Sequence, residues 1–282
     1  MALDSSNAVN QIAAALATNS NRLVIDKATI ANAVAGQIFS LWRATGQPAQ
    51  GAIPGTTPAV PNSATTGAFS FTNQTSPVTS YLGWIGGLTP GNSGGGFEIH
   101  DRIAHMGGLV LNVTTSQTIT GLDLSTLALA SARLGAANYS DVQWFLEVYT
   151  DGGATASNAT INVTYDDGTT GNLNVQAVGG TLRAGRMIPL TPLIPTGSQG
   201  KFIRGINSVI LSASTGTAGS FGFTCTRQRT ALPVGLANQP KTFDWAELGI
   251  PEIPNDACAF LVCSCGTTST GTLRGQGKIV HI

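Results

Sequence analysis

The chain has 282 residues, 14 Lys+Arg against 14 Asp+Glu, and 35 Gly; only 10% of it is charged and 42% is hydrophobic. A neutral, charge-poor chain lacks the local excess of Lys and Arg that captures nucleic acid or anionic lipid. Its hydrophobicity and zero net charge exclude wholesale disorder, and no apolar run approaches the roughly 18 residues of a membrane-spanning helix.

In chain order, Val9, Ile12, Ala13 and Leu16 follow the i, i+3, i+4, i+7 spacing of a helix face. Ile30, Val34, Ile38, Leu41 and Trp42 also recur at helical spacing, with Asp26 placed as an N-cap and Gly46 as a C-terminal stop. Residues 1–45 are therefore expected to form a short helical arm. An arm this small cannot bury its own apolar stripe, so Ile30, Val34, Ile38, Leu41 and Trp42 are the candidate subunit or capsid interface. Of residues 46–79, the stretch 46–67 holds Pro48, Pro54, Pro58 and Pro61 without periodicity. They read as an extended connector, partly polyproline II, that is either mobile or laid along a surface.

From residue 80 to 282 the pattern is that of an antiparallel β-sandwich or jelly roll. Strands are expected at Leu109–Thr115, Val142–Tyr149, Met187–Leu190, Ser208–Ala213, Ser220–Thr226, Cys258–Cys265 and Leu273–Ile282. Thr160–Tyr165 and Asn172–Val178 alternate apolar and polar residues around Asp166-Asp167-Gly168, a strong hairpin signal. Leu124–Arg133 could form one short helix and Asp244–Leu248 a single turn.

Chemistry-bearing motifs are sparse. Glu98, His100 and Arg102 share one strand face, expected to be solvated or to meet another subunit, while His105 falls on the other face. The serines near glycines, Ser93 and Ser198, miss the spacing of a nucleophile elbow, and no P-loop occurs. Asp141, Glu147, Asp151, Asp244, Glu247, Glu252 and Asp256 could converge as a hydrolase requires, which the sequence alone does not decide. Cys225, Cys258, Cys263 and Cys265 lack zinc-ligand spacing. They read as buried free thiols, with a disulfide such as Cys225–Cys263 as the alternative. No catalytic residue, metal or cofactor is expected. Trp144 reads as core; Trp84 and Trp245 are the two candidates for a carbohydrate-binding platform. The sequons at Asn73, Asn112, Asn138, Asn158 and Asn162 are read as chance, because no secretory leader is apparent at the start of the chain.

Three stretches carry a resemblance: Asp101–Thr118, Trp144–Thr155 followed by the Asp-Gly hairpin, and Ala257–Cys265 followed by Thr268–Gly275. They are similar to segments of virion structural proteins of tailed bacteriophages, over about residues 97–282. The resemblance implies a non-enzymatic capsid decoration (cement) or minor capsid protein. Its partners would be itself, as a homo-oligomer with a trimer favoured, and a major capsid protein, with assembly in a host cytoplasm. The runner-up is a carbohydrate- or receptor-binding β-sandwich of a head fibre or tail.

Overall fold

A computed structural model describes residues 4, 6–92, 95–180 and 182–282. The protein is mainly β, built of antiparallel sheets that include a closed barrel, with one short N-terminal helix, consistent with the expected sandwich-like body. The chain forms two compact units. The first comprises residues 1–52, 61–101 and 228–282; the second comprises 53–60 and 102–227. The long strands Gly95–Leu109 and Ser220–Val234 each contribute to both.

In the first unit, five strands run in the order Lys241–Phe243, Ser80–Pro90, Leu273–His281, Ser20–Lys27 and Gly46–Gln47. Ser20–Lys27 pairs antiparallel with Leu273–His281, Ser20 opposite Val280 and Lys27 opposite Leu273. A second ladder joins Ala259–Ser264 to Ile38–Ser40 and to the start of Gly95–Leu109. The core of the unit gathers Leu23, Ile25, Phe39, Leu82, Ile85 and Leu261.

The helix Ala8–Thr18 forms as expected, and its buried residues Ile12 and Ala15 pack on Val280 and Ile282. The second expected helix, over 26–45, does not form. Leu23, Ile25 and Lys27 alternate inward at period two, and Ser20–Lys27 becomes a paired strand. Asp26, expected as an N-cap, instead faces outward opposite Arg274. Downstream, Asn32 and Gly36 take positive φ (60° and 77°) and interrupt any helix. The β-branched residues that gave the i, i+4 spacing are also the weaker helix formers. The described residues up to 45 are thus one helix followed by strands and turns.

The Pro-rich stretch is packed. Phe69 and Phe71 enter the core of the first unit. In the second unit, Ala59 forms a bridge with His105.

The second unit has a sheet ordered Gln176–Val178, Ser157–Tyr165, Ile203–Leu211 and Gln117–Thr118, with Thr170–Asn172 also paired to Ser157–Tyr165. Gln143–Thr150 pairs with Ser220–Val234 and with Arg186–Pro189. Inward positions Trp144, Leu146, Ile161, Val163, Val209 and Phe223 form its core; each buried side chain of this size contributes about 1.5–3 kcal/mol. The Asp-Gly turn forms, with Gly168 at φ 83° and its N–H donated to the Tyr165 carbonyl. The strand expected at Leu109–Thr115 is displaced: pairing ends at Leu109, and the strand extends back to Gly95. Its helices are shorter than the candidate stretch, Ser131–Leu134 alone forming an α-turn. In the first unit Trp245–Leu248 forms one turn, capped by Asp244.

Candidate functional site

The most concentrated group of ionisable side chains lies inside the second unit. Between its exposed polar ends, the strand Gln143–Thr150 buries Trp144–Tyr149 with Glu147 as the one carboxylate, and a lone carboxylate in such a run must find a buried partner. Arg102 supplies it, its Nη2 donating to Glu147 Oε2 at 2.5 Å and its Nη1 to Oε1 at 3.3 Å. Both side chains are 0% exposed. Arg102 also donates to Thr224 Oγ1 at 3.0 Å, to the Tyr149 hydroxyl at 3.2 Å, and through Nε to His105 Nδ1 at 2.7 Å. Thr224 and Tyr149 in turn donate to Glu147 Oε2, at 2.5 and 3.3 Å. Arg133 donates to the Arg102 carbonyl.

Burial, reinforced by the Arg102 charge, pushes the His105 pKa down to about 2, so the ring stays neutral and Nδ1 remains an acceptor. Burial raises the Tyr149 hydroxyl above its ordinary range, the Glu147 charge adding to the effect. Sealed from water, the Arg102–Glu147 pair cross-links strands. This corrects the expectation of a solvated face at Arg102.

Glu98 and His100, in the first unit, do share a strand face and touch, His100 Nε2 lying 2.7 Å from Glu98 Oε2. His100 is buried rather than solvated. The His100 hydrogen bond holds the Glu98 carboxyl below its usual range. Next along the strand, Asp101 accepts from Arg229 at 3.0 Å and from the Cys258 N–H at 2.8 Å.

A third arrangement escaped the sequence analysis. Ser80 Oγ lies 2.9 Å from His281 Nδ1, and His281 Nε2 lies 2.8 Å from Asn21 Oδ1. The outline is that of a hydroxyl, an imidazole and an orienting amide, from residues 201 and 260 positions apart. Ser80 and His281 are opposed in the ladder that joins their strands, so the contact follows from strand register. Both are buried, and burial lowers the His281 pKa. Asn21 Oδ1 also accepts the Thr72 N–H, and His281 N–H bonds the Asn19 carbonyl. The group ties the start of the Ser20–Lys27 strand to the end of the chain.

The carboxylates named from sequence are dispersed in local roles. Asp141 pairs with Arg227, Asp151 with Arg183, and Asp256 accepts from Asn73. Asp244 and Glu247 form a capping box. Among the described residues no three His, Cys, Asp or Glu side chains gather as metal ligands would. Ser198 ends a short 3-10 turn rather than an elbow, and Ser93 lies outside the described residues. All four cysteines are buried, and none of them is in a disulfide.

Of the residues expected at an interface, Val34 is 45% exposed, while Ile30 and Ile38 are half-buried. Leu41 and Trp42 are buried in the core of their own unit, and their side chains cannot meet a partner as expected. Trp42 stacks edge-on against Phe260 and donates to the Ala52 carbonyl at 2.9 Å. The two candidates for a carbohydrate-binding platform are half-buried, Trp84 lying over Gly86 and Trp245 packing beside Ile12 and Val280.

The second unit also presents an uncharged outward row. Asn158, Thr160 and Asn162, with Thr164 buried at the end of the row, alternate with the inward Ala159, Ile161, Val163 and Tyr165 along one strand. Asn162 donates to Asn172 at 2.7 Å, Asn207 donates to Asn162 at 2.9 Å, and Thr164 donates to Asn207 at 3.1 Å. Ile210, beside this ladder and opposite Thr160, is 44% exposed.

No family model and no curated protein matches this chain. Among solved structures, that of the infectious bursal disease virus Gt strain aligns at 10% identity and a TM-score of 0.17, covering 94% of this chain and 82% of its own. The infectious bursal disease virus VP2 subviral particle aligns at 12% identity and a TM-score of 0.17, covering 94% and 80%. Likenesses at such TM-scores carry no argument about this chain. No helix among the described residues is long and apolar enough to cross a membrane.

Proposed function

We propose that this chain is a non-enzymatic structural protein of a virus particle, a capsid decoration (cement) subunit of the tailed-phage type that binds its own copies and a head lattice. The observation that carries the reading is how the chain spends its polar groups. Its buried ions cross-link strands, while the outward row of one sheet carries only neutral amides and hydroxyls. Neutral, pre-ordered hydrogen-bonding faces desolvate at lower cost than charged ones, and ordering the amides in advance reduces the entropy lost on association. Repetition across a lattice then multiplies weak contacts into avidity. Closed symmetry is the expected self-assembly, and the resemblance to phage virion proteins favours a trimer.

The test is the solution mass of the full chain, by light scattering after size exclusion across a wide concentration range. A discrete closed oligomer is expected. A monomer at every concentration would refute self-assembly, and failure to co-sediment with expanded phage heads would refute the capsid role. Val34→Asp, at an exposed loop position, is expected to weaken association without unfolding the chain.

A further inference from the structure

Cys263 and Cys265 stand two residues apart at the end of the Ala259–Ser264 strand, Cys265 lying just beyond the last paired position. In extended backbone, side chains two apart share a face, and here the two sulfurs are in contact, Sγ to Sγ 3.7 Å. Both are buried, at 2% and 4% exposure. The other cysteines lie elsewhere, Cys225 in the core of the second unit and Cys258 at the start of the strand's own run. We infer that Cys263 and Cys265 are a modification site: a dithiol that closes into a reversible disulfide across Ser264 when it meets a low-molecular-weight disulfide.

Contact at 3.7 Å leaves the sulfurs short of the roughly 2.05 Å bond. The remaining movement falls on Cys265, whose neighbours Gly266 and Thr267 form a bend rather than a strand. On the facing strand, the Gln37 carbonyl accepts the Cys265 N–H, so Gln37 stands opposite Cys265. Its side-chain Oε1 is buried without a hydrogen-bond partner. A buried acceptor left unpaired is destabilising, which favours opening at this end of the ladder.

The two thiols are inequivalent. The Cys263 S–H donated to Cys265 lowers the Cys265 pKa and raises that of Cys263. Cys265 is therefore the attacking thiolate. It attacks one sulfur of glutathione disulfide and expels a glutathione thiolate, leaving a mixed disulfide on Cys265. Cys263 then gives its proton to solvent and attacks the Cys265 sulfur, expelling the second glutathione. The two protein thiols are oxidised by two electrons, and one glutathione disulfide is reduced to two glutathiones.

The experiment exposes the folded full chain to glutathione disulfide, alkylates the remaining thiols under denaturing conditions, and maps the products by mass spectrometry. The expected wild-type product has lost two hydrogens within the peptide carrying Cys263 and Cys265, while Cys225 and Cys258 remain alkylated. Cys263→Ser is expected to accumulate one glutathione on Cys265, and Cys265→Ser to form neither product. Four alkylated cysteines in the wild type would overturn the inference. Loss of two hydrogens that persists in Cys265→Ser would also overturn it, by assigning the oxidation to another pair. The wild-type measurement decides the matter even if a variant fails to fold.

Discussion

Replacing Glu147 by Ala should be among the most damaging single changes in the second unit. It removes the carboxylate from a fully buried Arg102 and leaves three donors, the Arg102 guanidinium, Tyr149 and Thr224, without their common acceptor. Leaving one member of a buried ion pair uncompensated costs about 3–5 kcal/mol. The partners that Arg102 retains at His105, Tyr149 and Thr224 argue for the lower half of that range. At roughly 2–4 °C per kcal/mol for a cooperative unit of ordinary size, the melting temperature should fall by about 6–16 °C. Thermal unfolding followed by near-UV circular dichroism would read it. Replacing both members, Arg102→Met with Glu147→Leu, removes the stranded charge as well. The double variant should therefore cost at least about 2 kcal/mol less than the sum of the two singles. A loss below about 1 kcal/mol in Glu147→Ala, or strict additivity in the cycle, would refute the view that this pair is a sealed cross-link.

Acid should weaken the same unit through His105. Its folded pKa of about 2 lies below the ordinary imidazole value of 6.5, so the unfolded chain binds the proton more tightly, and stability present above pH 6.5 is lost progressively as pH falls toward 2. Between pH 6.5 and pH 5 the loss is about 2 kcal/mol at 1.36 kcal/mol per unit, measurable by urea unfolding. His105→Gln should reduce that slope, and equal slopes in the two proteins would sink the assignment. Backbone crowding gives a paired prediction. A Cβ at Gly222 would stand 1.9 Å from the Met106 carbonyl oxygen, whereas one at Gly197 would meet nothing within 4 Å. Gly222→Ala should cost about 1–3 kcal/mol or more and Gly197→Ala less than about 0.5 kcal/mol; similar melting temperatures for the two would contradict the packing.

What was legible in the sequence was whatever local period and turn chemistry specify. Around Asp166-Asp167-Gly168, alternation and a turn requiring positive φ pointed to one answer, and the hairpin formed there. Asp244, with Glu247 three residues later, likewise marked a helix turn. Residues 26–45 misled because sparse apolar residues fit two periods at once. Ile30, Val34 and Ile38 satisfy a helical spacing, but the Leu23–Ile25–Lys27 alternation just before them is a strand. The partner it pairs with along its whole length, Leu273–His281, lies some 250 residues away, beyond the reach of any local pattern.

The candidate sites were legible only where an apolar run carried a residue that did not belong. Glu147 inside Trp144-Phe145-Leu146-Glu147-Val148-Tyr149 signals a buried counter-charge, because a carboxylate cannot enter such a strand alone; the sequence does not say that Arg102 is the partner. Ser80, His281 and Asn21 gave no signal at all, since their meeting depends on the register of one strand pair and on the neighbouring strand. Cys263 and Cys265 fall between these cases. Their spacing predicts a shared face in any strand, but contact between their sulfurs depends on the strand ending at Ser264 and turning away at Gly266. The boundary of a strand is a tertiary outcome, set by where the facing strand stops donating, and here Gln37 and Gly36 supply the last two backbone bonds to Cys265. Chemistry that depends on where a ladder ends is therefore hidden from sequence even when every participating residue is in plain view.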